Sequence, residues 1–232
     1  MKLKLVKKIT EAKGTKSFFW EPQGPIDFLP GQYYYYTLPK LNYPDPRGET
    51  RHFTISNSPT EAGFLRLTTR IREESGFKKT LDEIPVGAEV EGEGPTGTFI
   101  LDEKEAGPHI FLAGGIGITP FRSFIKYAID KKLTIPMYLI YSNSNSDFAL
   151  GEELKKMDRE SNFVSIEFFD SGKSGHLDGA KIKGIVEKWK LNEKSATWWL
   201  VGPPAFIDAV EEILEKMGTT SDRIRSEKFT GY

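Results

Sequence analysis

The segment HIFLAGGIGITP, residues 109–120, decides the fold class. Its first part, His109–Ala113, predicts a buried strand, and Pro120–Lys131 predicts a helix because apolar residues recur there at helical spacing. The glycines between them permit a tight turn and a close approach of backbone N–H groups to a ligand. Thr119 suits the N-cap and Pro120 suits the first helical position. A helix that starts here offers free N–H groups and a partial positive charge, which favour a pyrophosphate, although an ordinary glycine-rich turn is the alternative.

Strands and helices alternate after this segment. Further strands are predicted at Pro136–Tyr141, Phe163–Phe169, Ala196–Val201 and Arg223–Phe229. Helices are predicted at Phe148–Met157, Ile182–Trp189 and Phe206–Met217. This order predicts a parallel sheet with helices on both faces. Because such sheets bind ligands beyond the carboxyl ends of their strands, we expect a site at the loops that start at Gly114, Ser142, Ser171 and Gly202.

The first half of the chain has the pattern of an all-β domain. Short runs rich in β-branched and aromatic residues predict strands at Lys2–Thr10, Lys16–Trp20, Gln32–Leu38, Arg51–Ser56, Phe64–Arg72 and Ala88–Glu93. Their spacing favours a closed barrel or a sandwich, with one short helix over Lys78–Glu83. The charged segment Asp102–Pro108 is the predicted linker, which places the domains at residues 1–101 and 109–232.

The composition argues against several classes of function. With 32 Lys+Arg and 33 Asp+Glu the formal net charge is −1, which argues against coating nucleic acid or an anionic membrane. The chain has no cysteine and three scattered histidines, so we predict no metal site and no cysteine-held cluster within it. The apolar run Ile110–Phe121 is too short and too rich in glycine for a membrane span. The N-terminus lacks the apolar core of a signal peptide, so we expect a cytoplasmic location.

Four further motifs bear groups suited to cofactor chemistry. In RHFTISNSP (51–59), an arginine can pair with a phosphate, an aromatic ring can stack on a ring system, and hydroxyls can hydrogen-bond a polar edge. In SGFKKTL (75–81), a glycine turn into a short helix offers backbone donors and lysines to phosphate. GPTGTF (94–99) is a turn signal, and VGPP (201–204) repeats the pattern of strand, glycine and proline. Taken singly, each motif is explained as well by local structure.

Taken in order, the five motifs resemble the ferredoxin–NADP reductase superfamily, in its FAD-binding oxidoreductase branch, over nearly the whole chain. The resemblance implies an antiparallel six-stranded β-barrel that binds flavin. It implies that a parallel-sheet α/β domain follows and binds a nicotinamide dinucleotide. FAD and NAD(P)H are therefore the expected cofactors, and hydride transfer from nicotinamide C4 to flavin N5 is the expected reaction.

On the flavin side, the resemblance implies three main roles. Arg51 would bind the FAD pyrophosphate, Phe53 would lie against the isoalloxazine or ribityl, and Thr54, the expected catalytic residue, would place its hydroxyl near N5. The strand Thr68–Ile71 would run along the flavin. Its expected contact residues are Thr69, Arg70 and Ile71, and the expected phosphate-binding residues are Gly76, Lys78, Lys79 and Thr80.

On the nicotinamide side, the resemblance implies three groups of residues. The dinucleotide pyrophosphate would be held by Gly114, Gly115, Gly117, Thr119 and Pro120, with Ser142 and Asn143 on the neighbouring loop. The nicotinamide would be flanked by Gly202, Pro203 and Pro204. Tyr232 could stack on the flavin, and a frayed tail is the alternative for it.

The chain departs from the family pattern at three places. Phe53 stands where a tyrosine is usual, so stacking is kept while a hydroxyl hydrogen bond is lost. Val201 stands where many members have a cysteine, which removes a polarizable neighbour of the hydride path. The loop Tyr141–Asp147 offers neither a basic residue, the first being Lys155, nor an acid at the strand end. The loop therefore leans only weakly toward NADH over NADPH.

The expected function is that of an FAD-dependent NAD(P)H oxidoreductase. Its acceptor is not readable from the sequence, and ferredoxin, flavodoxin, a quinone, a haem protein or ferric complexes all remain open. One alternative is a non-enzymatic flavin-binding electron-transfer subunit or redox sensor, and another is a nicotinamide dehydrogenase without flavin. A nucleic-acid-binding barrel is disfavoured by the near-zero net charge.

Overall fold

The computed structural model describes all residues of the chain except 106, 231 and 232. Its contacts divide the chain into two compact units. The first unit holds Met1–Leu101 and Arg122–Tyr127, and the second holds Asp102–Phe121 and the described residues from Ala128 onward. Met1–Leu101 is all-β apart from one short helix, whereas the second unit alternates strands and helices.

The described part of Met1–Leu101 contains six strands in one antiparallel sheet. They are β1 (Lys2–Ala12), β2 (Thr15–Pro22), β3 (Tyr33–Thr37), β4 (Thr50–Thr54), β5 (Leu65–Arg70) and β6 (Glu89–Thr96), in the sheet order β4-β3-β6-β1-β2-β5. A bridge between Ile55 and Leu67 joins the two outer strands, and the Ser56 N–H donates to the Arg66 carbonyl at 2.8 Å. The sheet therefore closes on itself, and the predicted six-stranded barrel is confirmed.

Alternation along the strands fills the barrel with apolar side chains. The buried residues include Leu3, Leu5, Phe18, Trp20, Tyr34 and Tyr36. Helix α1 (Gly76–Glu83) adds Phe77 and Leu81 to the same core. The Ser75 hydroxyl accepts a hydrogen bond from the Lys78 N–H, so this helix begins two residues earlier than predicted, directly after its cap.

The described part of the second unit has a five-stranded parallel sheet. Its strands are β7 (His109–Gly114), β8 (Met137–Asn143), β9 (Val164–Asp170), β10 (Thr197–Gly202) and β11 (Ile224–Lys228). Its helices are α2 (Ile118–Asp130), α3 (Gly151–Glu160), α4 (Ser171–Ser174), α5 (Gly179–Lys188) and α6 (Pro204–Lys216). All predicted strands and helices of this half are present, and α4 is a single turn that the sequence did not predict.

Helices cover both faces of this sheet, as predicted. Ile110 and Leu112 face α5 and α6 within one buried cluster. Phe111, between them on β7, points to the other face and stacks on Phe121 of α2 with ring centroids 4.8 Å apart. On that face, Tyr141 also meets Phe148, just before α3.

The strand order defines where a ligand can bind. The sheet order is β11-β10-β7-β8-β9, so the chain runs outward from β7 to β9 and then crosses to the opposite side of β7. This reversal lies between β7 and β10, and open parallel sheets bind ligands at the carboxyl ends of the strands that flank it. In the described residues, no helix is long and apolar enough to cross a membrane.

Candidate cofactor-binding site

The glycine turn after β7 packs directly on the end of β10. Gly115 has a positive φ of 56°, and a short 3-10 turn over Gly115–Gly117 leads into α2. A Cβ at Gly117 would overlap the Val201 carbonyl oxygen and would lie 2.9 Å from the Gly202 backbone nitrogen. Glycine is therefore required here because the backbone of one loop lies against the backbone of the other.

Helix α2 starts earlier than the sequence predicts. It begins at Ile118, so Thr119 and Pro120 lie inside its first turn. The Thr119 side chain donates to the Ile116 carbonyl at 3.2 Å, and Thr119 is 2% exposed. The predicted N-cap at Thr119 is therefore wrong, because the 3-10 turn runs into the helix without an extended cap residue.

The loop after β10 lies beside the glycine turn, as the sequence analysis expected. β10 ends at Gly202, Pro203 precedes α6, and α6 begins at Pro204. A Cβ at Gly202 would lie 3.1 Å from the Gly114 Cα. Because β7 and β10 are adjacent parallel strands, their carboxyl ends bring these two loops to one edge of the sheet.

Ser142 and Asn143 end β8 at this same edge. Ser142 lies in register with Gly114, and Asn143 lies in register with Asp170 on β9. The Asn143 side-chain amide donates to the Asn145 and Asp147 carbonyl oxygens at 3.3 and 3.1 Å, so it holds its own loop together. Asp170 is an acid at a strand end that inspection of the preceding loop alone missed. The feature that could have identified Asp170 is its position as the last residue of β9.

Glu227 is a second acid that the sequence analysis missed. It lies on β11 in register with Val201, near the carboxyl end of the strand. Burial raises the pKa of Glu227 to about 7. No hydrogen bond from the described residues reaches its buried Oε2 atom. Its proximity to Val201 depends on the pairing of β11 with β10, which no local pattern reveals.

In the barrel, the Arg51 guanidinium is held by its own chain. Its Nη1 atom donates to the carbonyl oxygens of Arg47, Gly48 and Thr50 at 2.7, 3.0 and 2.7 Å. Its Nη2 atom forms an ion pair with Asp45. Both side chains of the pair are nearly buried, with 9% of Arg51 and 5% of Asp45 exposed. The loop between β3 and β4 thus folds around this guanidinium.

Asp45 also caps the start of α1. Its Oδ2 atom accepts hydrogen bonds from the Phe77 N–H at 3.0 Å and from the Ser75 hydroxyl at 3.1 Å. Burial by itself would raise the pKa of Asp45, but hydrogen bonds from the Phe77 and Arg47 N–H groups and the charge of Arg51 outweigh it and lower that pKa. The carboxylate is therefore ionised at neutral pH.

Positive charge surrounds Lys78 in the first turn of α1. Lys78 is 2% exposed, and its pKa falls to about 7 because of burial and of the charges of Arg72, Arg47 and Arg51. We call these four residues the cationic cluster. The buried Arg72 Nε–H donates no hydrogen bond to any of the described residues. Lys78 and Arg51 are buried, Arg72 is half-buried and Arg47 is exposed. A group of cations with a spare donor fits an anionic ligand.

Phe53 and Thr54 end β4 on opposite faces. Phe53 is 8% exposed and packs in the barrel core, with its ring centroid 6.0 Å from that of Phe77 and 6.1 Å from that of Tyr36. Thr54 is also 8% exposed, and none of the described residues hydrogen-bonds its hydroxyl. That hydroxyl is therefore available to a ligand.

The remaining predicted flavin residues have partners within the barrel. Thr69 is buried on β5 beside Arg70, and the Ile71 N–H donates to the Gly14 carbonyl at 2.7 Å. The Thr80 hydroxyl donates to the Gly76 carbonyl at 2.8 Å and accepts from the Asn42 N–H at 2.9 Å.

Gly76 and Lys79 are also engaged locally, and Tyr232 lies outside the described residues. A Cβ at Gly76 would overlap the Pro44 carbonyl oxygen, so glycine is needed for this packing. The Lys79 ammonium pairs with Glu73 at 3.3 Å and lies 4.1 Å from the centre of the Tyr43 ring.

Two family models match the chain in the order of its two halves. Residues 2–100 match the oxidoreductase FAD-binding domain. Residues 111–212 match the oxidoreductase NAD-binding domain. Together they run over most of the chain, and the boundary between them coincides with the change from antiparallel to parallel sheet.

Relatives and solved structures agree with these matches. The anthranilate 1,2-dioxygenase electron transfer component of Acinetobacter baylyi is 30% identical over 213 residues, which cover 88% of this chain and 59% of that protein. The chain spans less than two thirds of the length of the curated relatives it matches.

Two solved structures share the fold. The flavohem-like FAD/NAD-binding domain of nitric oxide dioxygenase from Vibrio cholerae has a TM-score of 0.82 at 19% identity, with 98% of both chains covered. Ferredoxin–NADP+ reductase from Plasmodium falciparum has a TM-score of 0.79 at 20% identity, with 98% of this chain and 95% of that chain covered. The chain therefore combines an oxidoreductase FAD-binding domain with an oxidoreductase NAD-binding domain, and it shares the fold of these two solved structures.

Proposed function

We propose that the chain is an FAD-dependent NAD(P)H oxidoreductase, with residues 1–101 as its flavin domain and residues 109–232 as its dinucleotide domain. The observation that carries the proposal is the cationic cluster, in which Arg47, Arg51 and Arg72 act on Lys78 of the first turn of α1. Like charges held near one another repel, and two of these cations, Arg51 and Lys78, are buried, so the cluster favours an anion. The diphosphate of FAD is an anion of the right kind for an oxidoreductase FAD-binding domain.

The barrel residues would bind and orient the cofactor. When bound, FAD supplies a hydride acceptor for the nicotinamide and a carrier that can release electrons singly. Phe53 packs against Phe77 in the barrel core and so holds the end of β4 in place. Thr54 at that end has a hydroxyl that would hydrogen-bond the reacting end of the flavin, as the family resemblance implies. The cationic cluster would hold the phosphates.

The sheet residues would bind the nicotinamide dinucleotide. Gly114, Gly117 and Gly202 let two loops pack backbone against backbone at the carboxyl edge of the sheet. The first turn of α2 contributes its partial positive charge at the same edge. The dinucleotide pyrophosphate would lie there, with Pro203 and Pro204 beside the nicotinamide.

We propose a preference for NADH over NADPH. The Asp170 carboxylate ends β9 beside Asn143, on the strand next to the one that bears Ser142. An acid at a strand end can hydrogen-bond a ribose hydroxyl and repels a 2′-phosphate. The absence of a basic residue between 141 and 147 in the sequence points the same way.

The electron acceptor would be a one-electron partner such as ferredoxin, flavodoxin or a haem protein, or a quinone. A second candidate is an electron-transfer subunit that delivers electrons to a separate oxygenase or haem component. The similarity to the Acinetobacter protein, an electron transfer component, favours this second candidate.

The test is reconstitution of the purified chain with FAD, followed by anaerobic stopped-flow reduction with NADH and with NADPH. The proposal predicts a yellow protein whose visible flavin band bleaches faster with NADH. A colourless protein that takes up no FAD would exclude a flavoenzyme. A flavoprotein whose flavin band is bleached by neither coenzyme would instead indicate a sensor, or a subunit that another protein reduces. A panel of electron acceptors would then show where its electrons go.

A further inference from the structure

The loop between β4 and β5 starts directly after Thr54, and its first part is buried. Ser56, Asn57 and Ser58 have no exposed surface. Buried backbone groups need hydrogen-bond partners within the protein, because water does not reach them. The partners of this loop therefore identify the residues that hold the end of β4 in place.

Ser56, two residues after Thr54, is bonded through its backbone and its side chain. Its N–H and its hydroxyl both donate to the Arg66 carbonyl, at 2.8 and 2.9 Å. Its carbonyl accepts a hydrogen bond from the Arg122 Nη1 atom at 3.2 Å. The chain that follows Thr54 is thus held by β5 and by α2.

The Ser56 hydroxyl also belongs to a ring of hydrogen bonds. Its Oγ atom lies 2.8 Å from the Thr68 Oγ1 atom, which lies 2.8 Å from the Ser17 Oγ atom. A hydroxyl has one proton, and the Ser56 proton is used on the Arg66 carbonyl, so Thr68 donates to Ser56 and Ser17 donates to Thr68. The Arg66 Nε–H donates to the Ser17 Oγ atom at 3.1 Å. The ring therefore starts at the Arg66 side chain, ends at the Arg66 carbonyl and has a single direction.

An ion pair anchors this ring. The Arg66 Nη2 atom donates to the Glu11 carboxylate at 2.8 Å, and only 8% of the Arg66 side chain and 10% of the Glu11 side chain are exposed. A guanidinium keeps its charge and has no acceptor, so the direction of the ring is fixed at this end. Removal of the Ser56 hydroxyl interrupts the ring without touching the ion pair.

A second ion pair holds the loop from α2. Arg122 is 1% exposed, and its two Nη atoms contact the two carboxylate oxygens of Glu61, one of them at 2.8 Å. The Glu61 carboxylate also accepts the Ser58 N–H at 2.7 Å. A pairing through two parallel hydrogen bonds fixes orientation as well as distance.

Ser123, the next residue of α2, extends this contact. Its hydroxyl is buried and donates to the Asn57 carbonyl at 2.8 Å. Successive residues of α2 therefore bind successive carbonyl groups of the loop. Arg122 and Ser123 belong to the first unit together with the barrel.

We propose that Ser56, Arg122 and Ser123 are positioning residues for reduction of the flavin, which act by fixing the backbone that carries Thr54. This inference rests on the proposed function and deepens it. A hydroxyl that serves the reacting end of a cofactor must keep its place to within about 0.5 Å. The residues that hold its backbone therefore affect the rate although they contact no reacting atom.

The test compares hydroxyl deletions in two backgrounds. Ser56→Ala and Ser123→Ala are each made in the wild-type chain and in Thr54→Val, and the chains are loaded with FAD. Stopped-flow absorbance gives the limiting rate of flavin reduction at saturating NADH. In the wild-type background each deletion should slow reduction about fivefold or more, while the Kd of FAD changes less than about threefold. In the Thr54→Val background each should slow reduction less than about twofold, because the hydroxyl through which it acts is absent.

Thr37→Val is the matched control. It breaks a hydrogen bond of 2.8 Å between the Thr37 and Thr50 hydroxyls on an exposed face of the same barrel, and it should leave the rate unchanged in both backgrounds. Arg122→Met alone would leave Glu61 without its counter-ion, so Arg122 is tested together with Glu61→Gln. That double variant should show the same dependence on Thr54. If it does not fold, the two serine variants decide the outcome.

Two results would overturn the inference. One is a serine deletion that leaves the rate unchanged or slows it equally in both backgrounds, and the other is a Thr54→Val rate equal to that of wild type. In both cases the wild-type chain still binds FAD and is reduced by the coenzyme, so the proposed function stands. A wild-type chain that fails to bind FAD would instead refute the proposed function itself.

Discussion

Gly117 and Val201 meet backbone to backbone at the carboxyl edge of the parallel sheet. A side chain at Gly117 would overlap the Val201 carbonyl oxygen, so the turn after β7 can reach the end of β10 only with glycine. This contact brings the two predicted nicotinamide loops together and sets the spacing of the candidate site.

Gly117→Ala should therefore disturb the site as well as the fold. The added methyl group must push the turn away from β10, so we expect a loss of about 1–3 kcal/mol in the free energy of unfolding and a several-fold weaker NADH complex. Urea denaturation and titration with NADH measure the two effects. Gly184→Ala on α5 is the control, since nothing lies within 4 Å of its Cβ position, and it should be neutral or stabilising. Equal behaviour of the two variants would contradict the steric argument.

Arg51→Met should destabilise the apoprotein. It leaves the nearly buried Asp45 carboxylate without its counter-ion, a change that typically costs about 3–5 kcal/mol. Urea denaturation of the apoprotein measures the loss. The double variant Arg51→Met with Asp45→Asn should recover part of it, because the uncompensated charge is then absent. A fully stable Arg51→Met apoprotein with lost FAD binding would instead favour a direct phosphate contact for Arg51.

Thr54→Val should slow flavin reduction more than it weakens FAD binding. The substitution keeps the shape of the side chain and removes a hydroxyl that no described residue hydrogen-bonds at the end of β4. We expect about a tenfold or greater drop in the rate of reduction and less than a threefold change in the Kd of FAD. A group that acts at the reacting atoms generally affects the rate more than the binding of the cofactor. Thr54→Ser should restore most of the rate. Equal rates in wild type and Thr54→Val would remove Thr54 from the reacting end.

Glu227→Gln should change how stability depends on pH. Burial raises the pKa of Glu227 to about 7, above its unfolded value of roughly 4.3, so the folded state retains a proton that the unfolded state loses. The stability contributed by the protonated acid is therefore present below about pH 4 and is lost as pH rises through about 7. Urea denaturation measures the free energy of unfolding. Over that pH range, the value for Glu227→Gln should rise relative to that of wild type by about 1–3 kcal/mol. Glu215→Gln on the exposed side of α6 should show no such trend.

Asp170→Asn should weaken the discrimination against NADPH. Asparagine can keep the hydrogen bond that the Asp170 side chain accepts from the Gly172 N–H at 3.0 Å, while the negative charge is removed. We expect the ratio of kcat/KM for NADH over that for NADPH to fall about three- to tenfold, the size of a single charge effect at a partly exposed site. Asp178→Asn, at the N-cap of α5, is the matched control. A ratio that does not move would place the 2′-position of the coenzyme elsewhere.

Sequence patterns were sufficient for the elements and for their order. The apolar run before Gly114 and the helical spacing after it identify β7 and α2, because strand and helix periodicities are local properties. The barrel strands followed from alternation and from turn residues in the same way. The residue at which α2 begins could not be predicted in this way, because a 3-10 turn runs into the helix and Thr119 is not its cap.

The electrostatics of the candidate site were decided by tertiary structure. Sequence motifs identified Arg51 on a strand and Lys78 near a helix start as candidate phosphate ligands, but they could not reveal that Asp45 supplies an anion to both Arg51 and α1. Glu227 likewise gains its raised pKa from the pairing of β11 with β10, far along the chain. Periodicity reports which face of an element is apolar, and it does so from neighbours in sequence. The charge that a buried group experiences depends on groups brought close by folding, and only the assembled structure specifies those.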